Sequence, residues 1–272
     1  MSQAIKLNYG SSQYLLSERM QAFPAISKLI NQTMGYTNIG NYARAQVFSK
    51  HINKLDLSKM ENILDLGCGY GENALMMSQA LPGKKIYALD IDTRALNRVR
   101  SAKEKLGLTN LTLHEGKIDT LPVEGLDLIY SVDVFEHIPA SEMPFAAAHD
   151  KLKKGGYLLV KIPNKVQRTF FDSKYFEEHN KWVDHEHPGQ VYFLKDLAAR
   201  FHKEGFKVIF AAQSDGMLAR LAWEVAYFTK QGGAATQLLA LPFCKLLVKL
   251  DLWLHPKGSS QGNAITVIGQ KI

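Results

Sequence analysis

A chain of 272 residues, 46% of them hydrophobic, is long enough for one α/β domain with appendages and a full core. Its two cysteines, Cys68 and Cys244, exclude a disulfide framework and point to a reducing, cytoplasmic setting; the opening MSQAIKLNYGSSQYLL lacks a signal-peptide core, and no uncharged apolar run reaches the ~18 residues of a membrane span. The net charge of +7 sits outside the middle of the chain: residues 1–60 carry seven Lys/Arg against two acids, residues 213–262 carry five against three, and the remainder balances at 21 each, which fits solubility or attraction to an anionic surface.

Residues 1–60 read as a helical N-terminal cap. A helix over Ser17–Ile30, interrupted near Pro24, precedes a turn-like GYTNIGN at 35–41 and a second helix over Tyr42–Leu55. The stretch Glu61–Asn73, ENILDLGCGYGEN, follows. Ile63, Leu64 and Leu66 form a short apolar run suited to a buried parallel strand, with Asp65 inside it. Gly67, Gly69 and Gly71 then alternate across a tight turn, and a helical pattern runs from Glu72 to Pro82–Gly83. Strand, glycine turn and helix open a nucleotide-binding α/β sheet, the glycines leaving the backbone open to a ligand. A dinucleotide fingerprint is excluded by Glu72 at its sixth position and by a third glycine one residue early.

KIYALD at Lys85–Asp90 is the second strand, closed by an acid 23 residues after Gly67, where a carboxylate can accept both ribose hydroxyls. Thr93 starts a helix with Leu96, Val99 and Leu106 on its apolar face. Leu111–Gly116 is the third strand and Leu126–Ser131 the fourth. VDVFEHIP follows, then a helix over Glu142–Leu152 ended by KKGG, then a fifth strand at Tyr157–Pro163. An aromatic-rich loop begins at Asn164 and carries Asp184, His185, Glu186 and His187 in a row. On extended backbone only His185 and His187 face the same way, so a substrate-loop role is preferred and no metal is assigned. A helix starts at Phe193–Arg200, and Phe206–Ala211 and Ala264–Gln270 are the sixth and seventh strands.

Residues 213–262 form a helical insertion between those last two strands. Met217–Phe228 is helix-like, Gln231-Gly232-Gly233 breaks it, and after Pro242 a second helix sets Phe243, Leu246, Leu247, Leu250, Trp253 and Leu254 opposite Lys245 and Lys249. Three roles are open to it: a hairpin packed on the sheet or on a second subunit of a homodimer, a lid over an apolar substrate, or peripheral contact with a membrane.

Gly67-Cys68-Gly69-Tyr70-Gly71 after an acidic strand resembles motif I of the class I S-adenosylmethionine (SAM) methyltransferases, and the resemblance covers about residues 36–212 and 264–272. It implies an α/β fold: a Rossmann-like, seven-stranded, mostly parallel sheet with helices on both faces, ending in an antiparallel hairpin. The implied domains are the cap at 1–60, the SAM-binding domain at 61–212 plus 263–272, and the insertion at 213–262. The implied cofactor is SAM, held by Asp65, Gly67, Cys68, Gly69, Gly71, Asp90, Ile91 against adenine, Ser131, and the backbone of Lys117 and Ile118. Lys117 departs from the family, which usually carries an adenine-binding Asp there. GYTNIGNY is similar to the family's Asn-x-Gly-Tyr segment, so Tyr36, Asn38 and Tyr42 are candidates for cofactor contact or for packing. Asp133, Glu136 and His137 match its acid-x-x-Glu-His segment, beyond the carboxyl end of the sheet where ligands bind.

The function this implies is methyl transfer to a small-molecule acceptor with an apolar part, through a hydroxyl oxygen. A histidine suits removal of the hydroxyl proton near neutral pH, and His137 and His185 are the candidates. Nucleic acid is not expected as the acceptor, because no Asn/Asp-Pro-Pro-aromatic motif follows the fourth strand and no basic-aromatic stripe is present. The alternatives are a nucleic-acid methyltransferase and a non-catalytic SAM-binding protein.

Overall fold

The computed structural model describes residues 35–186, 189 and 191–272, preceded by Ile5, Leu7, Ala25, Leu29, Gln32 and Thr33. The helix expected over Ser17–Ile30 lies almost wholly outside the described residues, and His187 lies outside them altogether. Seven apolar runs pair into one sheet: β1 (Asn62–Leu66), β2 (Lys85–Asp90), β3 (Leu111–Glu115), β4 (Leu126–Val132), β5 (Leu152–Pro163), β6 (Phe206–Ser214) and β7 (Ala264–Lys271). Their order is β3-β2-β1-β4-β5-β7-β6. β1 to β5 run parallel, and β7 is antiparallel to both of its neighbours. The strand order reverses between β1 and β4, which makes their carboxyl ends the ligand edge of an open sheet.

The helices are α1 (Ile39–Ile52), α2 (Glu72–Ala80), α3 (Thr93–Leu106), α4 (Phe145–Lys151), α5 (Glu177–Glu186), α6 (Leu194–Lys203), α7 (Met217–Gln231) and α8 (Ala234–Leu254). Ile63 and Leu64, adjacent in β1, face opposite sides of the sheet, and each is fully buried in a different core cluster. A third cluster joins α1 to α7 and α8 through Ile39, Tyr42, Ala222, Cys244 and Val248. The insertion therefore docks on the N-terminal helix. Among the described residues, no helix is long and apolar enough to cross a membrane.

Four local expectations are corrected. α1 begins at Ile39 rather than Tyr42, because the Asn38 side chain accepts from the Asn41 amide at 3.1 Å and caps the helix earlier. β5 begins at Leu152 rather than Tyr157: Leu152 pairs with Leu126, and a register shift before Tyr157 absorbs the extra residues. The segment read as a loop after β5 contains α5, because Phe176, His179 and Trp182 recur at helical spacing; Phe176 and His179 pack on Trp223. His185 therefore stands on a helix, not on extended chain. Finally, α8 runs straight through Pro242 instead of starting after it. Proline inside a helix costs ~3 kcal/mol; the burial of Leu241, Cys244, Leu247 and Val248 against α1 and α7 offsets that.

Candidate active site

The turn after β1 is built by backbone that only glycine adopts freely. Gly67, Gly69 and Gly71 have φ of 74, 50 and 73°. Gly67 and Cys68 donate their amides to the Leu89 carbonyl at 2.8 and 3.0 Å, which docks the turn on the end of β2. A Cβ on Gly67 would stand 2.5 Å from Val134, and one on Gly71 2.6 Å from Val99, whereas a Cβ on Gly69 would meet nothing within 4 Å. Two of the glycines serve packing, and the middle one keeps space open. The Asp90 carboxylate closes the turn, accepting from the Gly69 amide at 2.6 Å and the Asp92 amide at 2.9 Å.

Beneath the turn, Asp65 is buried and its Oδ2 has no partner among the described residues. Burial and nearby Asp90 push its carboxyl up to about 8, against the pull of the Tyr130 hydroxyl and the Ala74 amide. Ile91, beside Asp90, is 72% exposed, a large apolar side chain left uncovered at the rim of the turn. These features fit SAM: room at Gly69, a carboxylate at Asp90, an apolar plate at Ile91, and at Asp65 an acid able to receive an ammonium group.

The remaining sequence candidates are placed as follows. The half-buried Cys68 thiol is pushed up by burial. The Ser131 hydroxyl donates to the Leu66 carbonyl at 2.9 Å and ties β4 to the end of β1. Lys117 is exposed and pairs with Glu142, while Ile118 is buried in the core under β4. Asn38 caps α1, and the Tyr36 and Tyr42 rings meet edge-on at 6.4 Å.

Past β4 the chain turns sharply at Asp133, a non-glycine residue with φ of 54°. Two cations hold it: Arg44 of α1, with Nε 2.5 Å from Oδ2, and Lys161 of β5, with Nζ 2.8 Å from Oδ1. Burial opposes its charge, but Lys161 and Arg44 outweigh burial and hold the carboxyl at about 2. Glu136, three residues on, is buried with Oε2 unpartnered among the described residues. Burial and the Asp133 charge push it up to about 8. The two acids are thus driven apart, one ionised and one protonated at neutral pH.

This cluster forms the floor of a cavity of about 720 Å³. Its walls come from α1, the β4 turn, the loop after β5, α5 and α7, with Phe176, Trp182 and Trp223 as its aromatic surface. His137 lines it, and so does His179. His185 is exposed on α5 and does not. The His179 ring lies 4.8 Å from that of Trp223 and stacks on Trp182 at 5.8 Å, and burial lowers its pKa. Sequence reasoning missed His179, Arg44, Lys161 and Arg220. The one usable signal was the spacing of Phe176, His179 and Trp182. Among the described residues, no three His, Cys, Asp or Glu side chains gather to hold a metal.

A seven-stranded sheet with a β7 reversal, a glycine turn at its first strand and a cavity beyond its fourth define the class I SAM-dependent methyltransferase fold. Residues 57–214 match the family model described as a methyltransferase domain, and the chain belongs to that family. It is similar to the trans-aconitate 2-methyltransferase of Agrobacterium fabrum, 29% identical over 117 residues that cover 42% of this chain and 43% of that protein. It is 29% identical to malonyl-[acyl-carrier protein] O-methyltransferase 1 of Ilyobacter polytropus, over 74% of each chain. Coclaurine N-methyltransferase, solved with N-methylheliamine and SAH, shares the fold with a TM-score of 0.57 at 15% identity, over 83% of this chain and 71% of that one. The match spans about two-fifths of the length of the trans-aconitate enzymes: 43%, 37% and 40% of three of them.

Proposed function

We propose that the protein transfers the methyl group of SAM to a hydroxyl oxygen of a small-molecule acceptor held in the cavity beyond β4. The observation that carries this reading is adjacency. Val134, which packs on Gly67 of the glycine turn, follows directly on Asp133 and precedes Glu136 and His137 of the cavity wall. SAM, when bound, supplies a methyl group on a cationic sulfur, so activation belongs to the cofactor and alignment to the protein. Bound SAM would be held by Asp90 at its ribose, by Asp65 at its ammonium group and by Ile91 at its adenine. The walls orient the acceptor, an effect that contributes as much as ~7–11 kcal/mol. Phe176, Trp182 and Trp223 hold its apolar part, with α7 closing the pocket as a lid. His137 or His179 takes the hydroxyl proton; the lowered pKa of His179 leaves its imidazole neutral near pH 7 and ready to accept. A recessed pocket favours a small acceptor over nucleic acid.

The acceptor atom rests on these histidines and not on the relatives, whose names include both O- and N-methyltransferases. The same reading places the protein in the cytoplasm, with the exposed face of α8 touching an anionic membrane or a second copy of the chain. The test is a panel of hydroxylated and amino acceptors with methyl-labelled SAM. Label on hydroxyl oxygens, with kcat reduced in His137→Ala or His179→Ala and SAM affinity unchanged, supports the reading. Label on nitrogen alone, or full turnover in the double variant, refutes it.

A further inference from the structure

One wall of the cavity carries positive charge with no carboxylate in direct contact among the described residues. Five basic and four acidic side chains line the space. Arg44 and Lys161 share Asp133, which accounts for two of the cations. Arg220 of α7 and Arg168 and Lys165 of the loop after β5 remain. None of the three has a carboxylate partner among the described residues: Arg168 donates to Gln261 Oε1 at 3.1 Å, Lys165 lies over the Phe193 ring, and Arg220 Nε is shut off from solvent with no hydrogen-bond partner.

The acid placed to neutralise Arg220 is otherwise engaged. Glu224 lies one turn further along α7, on the same helix face. Its two oxygens accept from the Phe170 and Phe171 amides at 2.6 and 2.8 Å, and it is 1% exposed. This clamp pins the 165–171 loop onto α7 and so brings Arg168 toward Arg220. Asn263 fixes the same loop from its other side, donating to the Arg168 carbonyl at 2.8 Å and accepting from the Arg168 amide at 3.0 Å. Two guanidinium groups are thereby held at one cavity wall, where burial and then Arg168 weaken the hold of Arg220 on its proton against the pull of Glu224 and Asp251. Bringing like charges together is unfavourable unless an anion completes the site. Glu136, protonated at neutral pH, does little to offset the excess.

We propose that Arg220 and Arg168 are a recognition site for an acidic group of the acceptor, a carboxylate or a phosphate, so that the methylated small molecule is an anion. The inference rests on the functional reading above and adds the substrate class. Guanidinium is the fitting chemistry, since its planar fork grips either oxyanion in two-point fashion. An acceptor anchored there spans the cavity, with its acid on α7 and its methylated end toward Asp133 and the glycine turn.

The experiment uses the full chain and two probes, succinate and phenyl phosphate, titrated by calorimetry at constant ionic strength against wild type, Arg220→Gln and Arg168→Gln. SAM affinity is measured in parallel. Saturable binding of one probe by wild type, weakened about tenfold or more in each variant with SAM affinity unchanged, is the expected result. The better probe names the oxyanion. Equal binding by wild type and Arg220→Gln, or no saturable binding at all, overturns the proposal. The functional reading is tested separately by the acceptor panel. Turnover of neutral acceptors that is indifferent to Arg220→Gln keeps that reading and removes this one. Anion binding that depends on Arg220, without methyl transfer to any panel member, leaves the anion site standing and removes the other.

Discussion

Arg44 and Asp133 are separated by 89 residues in sequence, yet Arg44 Nε stands 2.5 Å from Asp133 Oδ2. The contact joins the N-terminal helix to the turn after β4, and Lys161 enters from β5 on the other oxygen. One carboxylate therefore anchors two elements around the cavity floor.

Asp133→Asn should lower stability by ~3–5 kcal/mol, because it strands Lys161, whose side chain is only 6% exposed, beside Arg44. The pH dependence carries a sign. The folded carboxyl sits at about 2, below its ordinary 3.8, so its stabilisation is present above 3.8 and is lost as pH falls toward 2. Urea titrations of both proteins between pH 7 and pH 2 should converge at the acid end. A constant difference across that range would contradict the assignment.

Asp65 shows the opposite sign. Its folded carboxyl is at about 8, against an ordinary 3.8, so the free protein loses stability as pH rises between those values. Asp65→Asn should flatten that limb of the thermal midpoint. An ammonium group bound beside Asp65 favours its ionised form, so SAM binding should release a proton and tighten from pH 6 to pH 8. Calorimetry in buffers of different ionisation enthalpy reads this release, and pH-independent binding would remove Asp65 from the cofactor site.

The three glycines should separate by what their Cβ meets. Gly67→Ala and Gly71→Ala drive a methyl group into Val134 and Val99 and should lower stability by ~1–3 kcal/mol through overpacking, with backbone strain in addition. Gly69→Ala meets open space and carries the strain of its φ alone, ~1–2 kcal/mol, yet it fills the room left for the cofactor. Its melting temperature should stay nearest to wild type while its SAM affinity falls furthest. Similar losses of both quantities in all three variants would show that the middle glycine has no special place.

The exposed face of α8 predicts surface activity. Leu239, Phe243, Leu246, Trp253 and Leu254 are each more than half exposed, with Lys245 and Lys249 on the same helix. Full-length protein should float with vesicles containing phosphatidylserine at low salt, and Phe243→Ser with Trp253→Ser should abolish flotation without changing the melting temperature. Loss of a dimer in the same double variant, with no flotation in wild type, would assign the face to self-association instead.

The glycine turn, the acid closing β2 and the succession of strands along the chain were legible in the sequence because each is a local pattern. A strand shows as an apolar run, a turn as glycines where φ is positive, a ligand acid as a carboxylate at a strand end. α5 was hidden because its aromatic face is only His179 and Trp182 among charged residues, with Phe176 in the turn just before it, and spacing that short is indistinguishable from an aromatic loop. The continuity of α8 through Pro242 was hidden for a related reason: the local cost of proline reads as a break, and only packing on α1 and α7 reverses that balance. Asp133, Glu136 and His137 of the cavity floor were legible through the family's acid-x-x-Glu-His segment, but the cations around them had no signature in the chain. Arg44, Asp133, Lys161 and Arg220 come from four separate elements, and their charges are brought together only in the folded chain. Local residue chemistry determined the strands and the glycine turn, and the resemblance carried by that turn implied the fold class; the tertiary structure decided which charges meet, because Coulomb energy depends on distance and dielectric, and neither is written in sequence order.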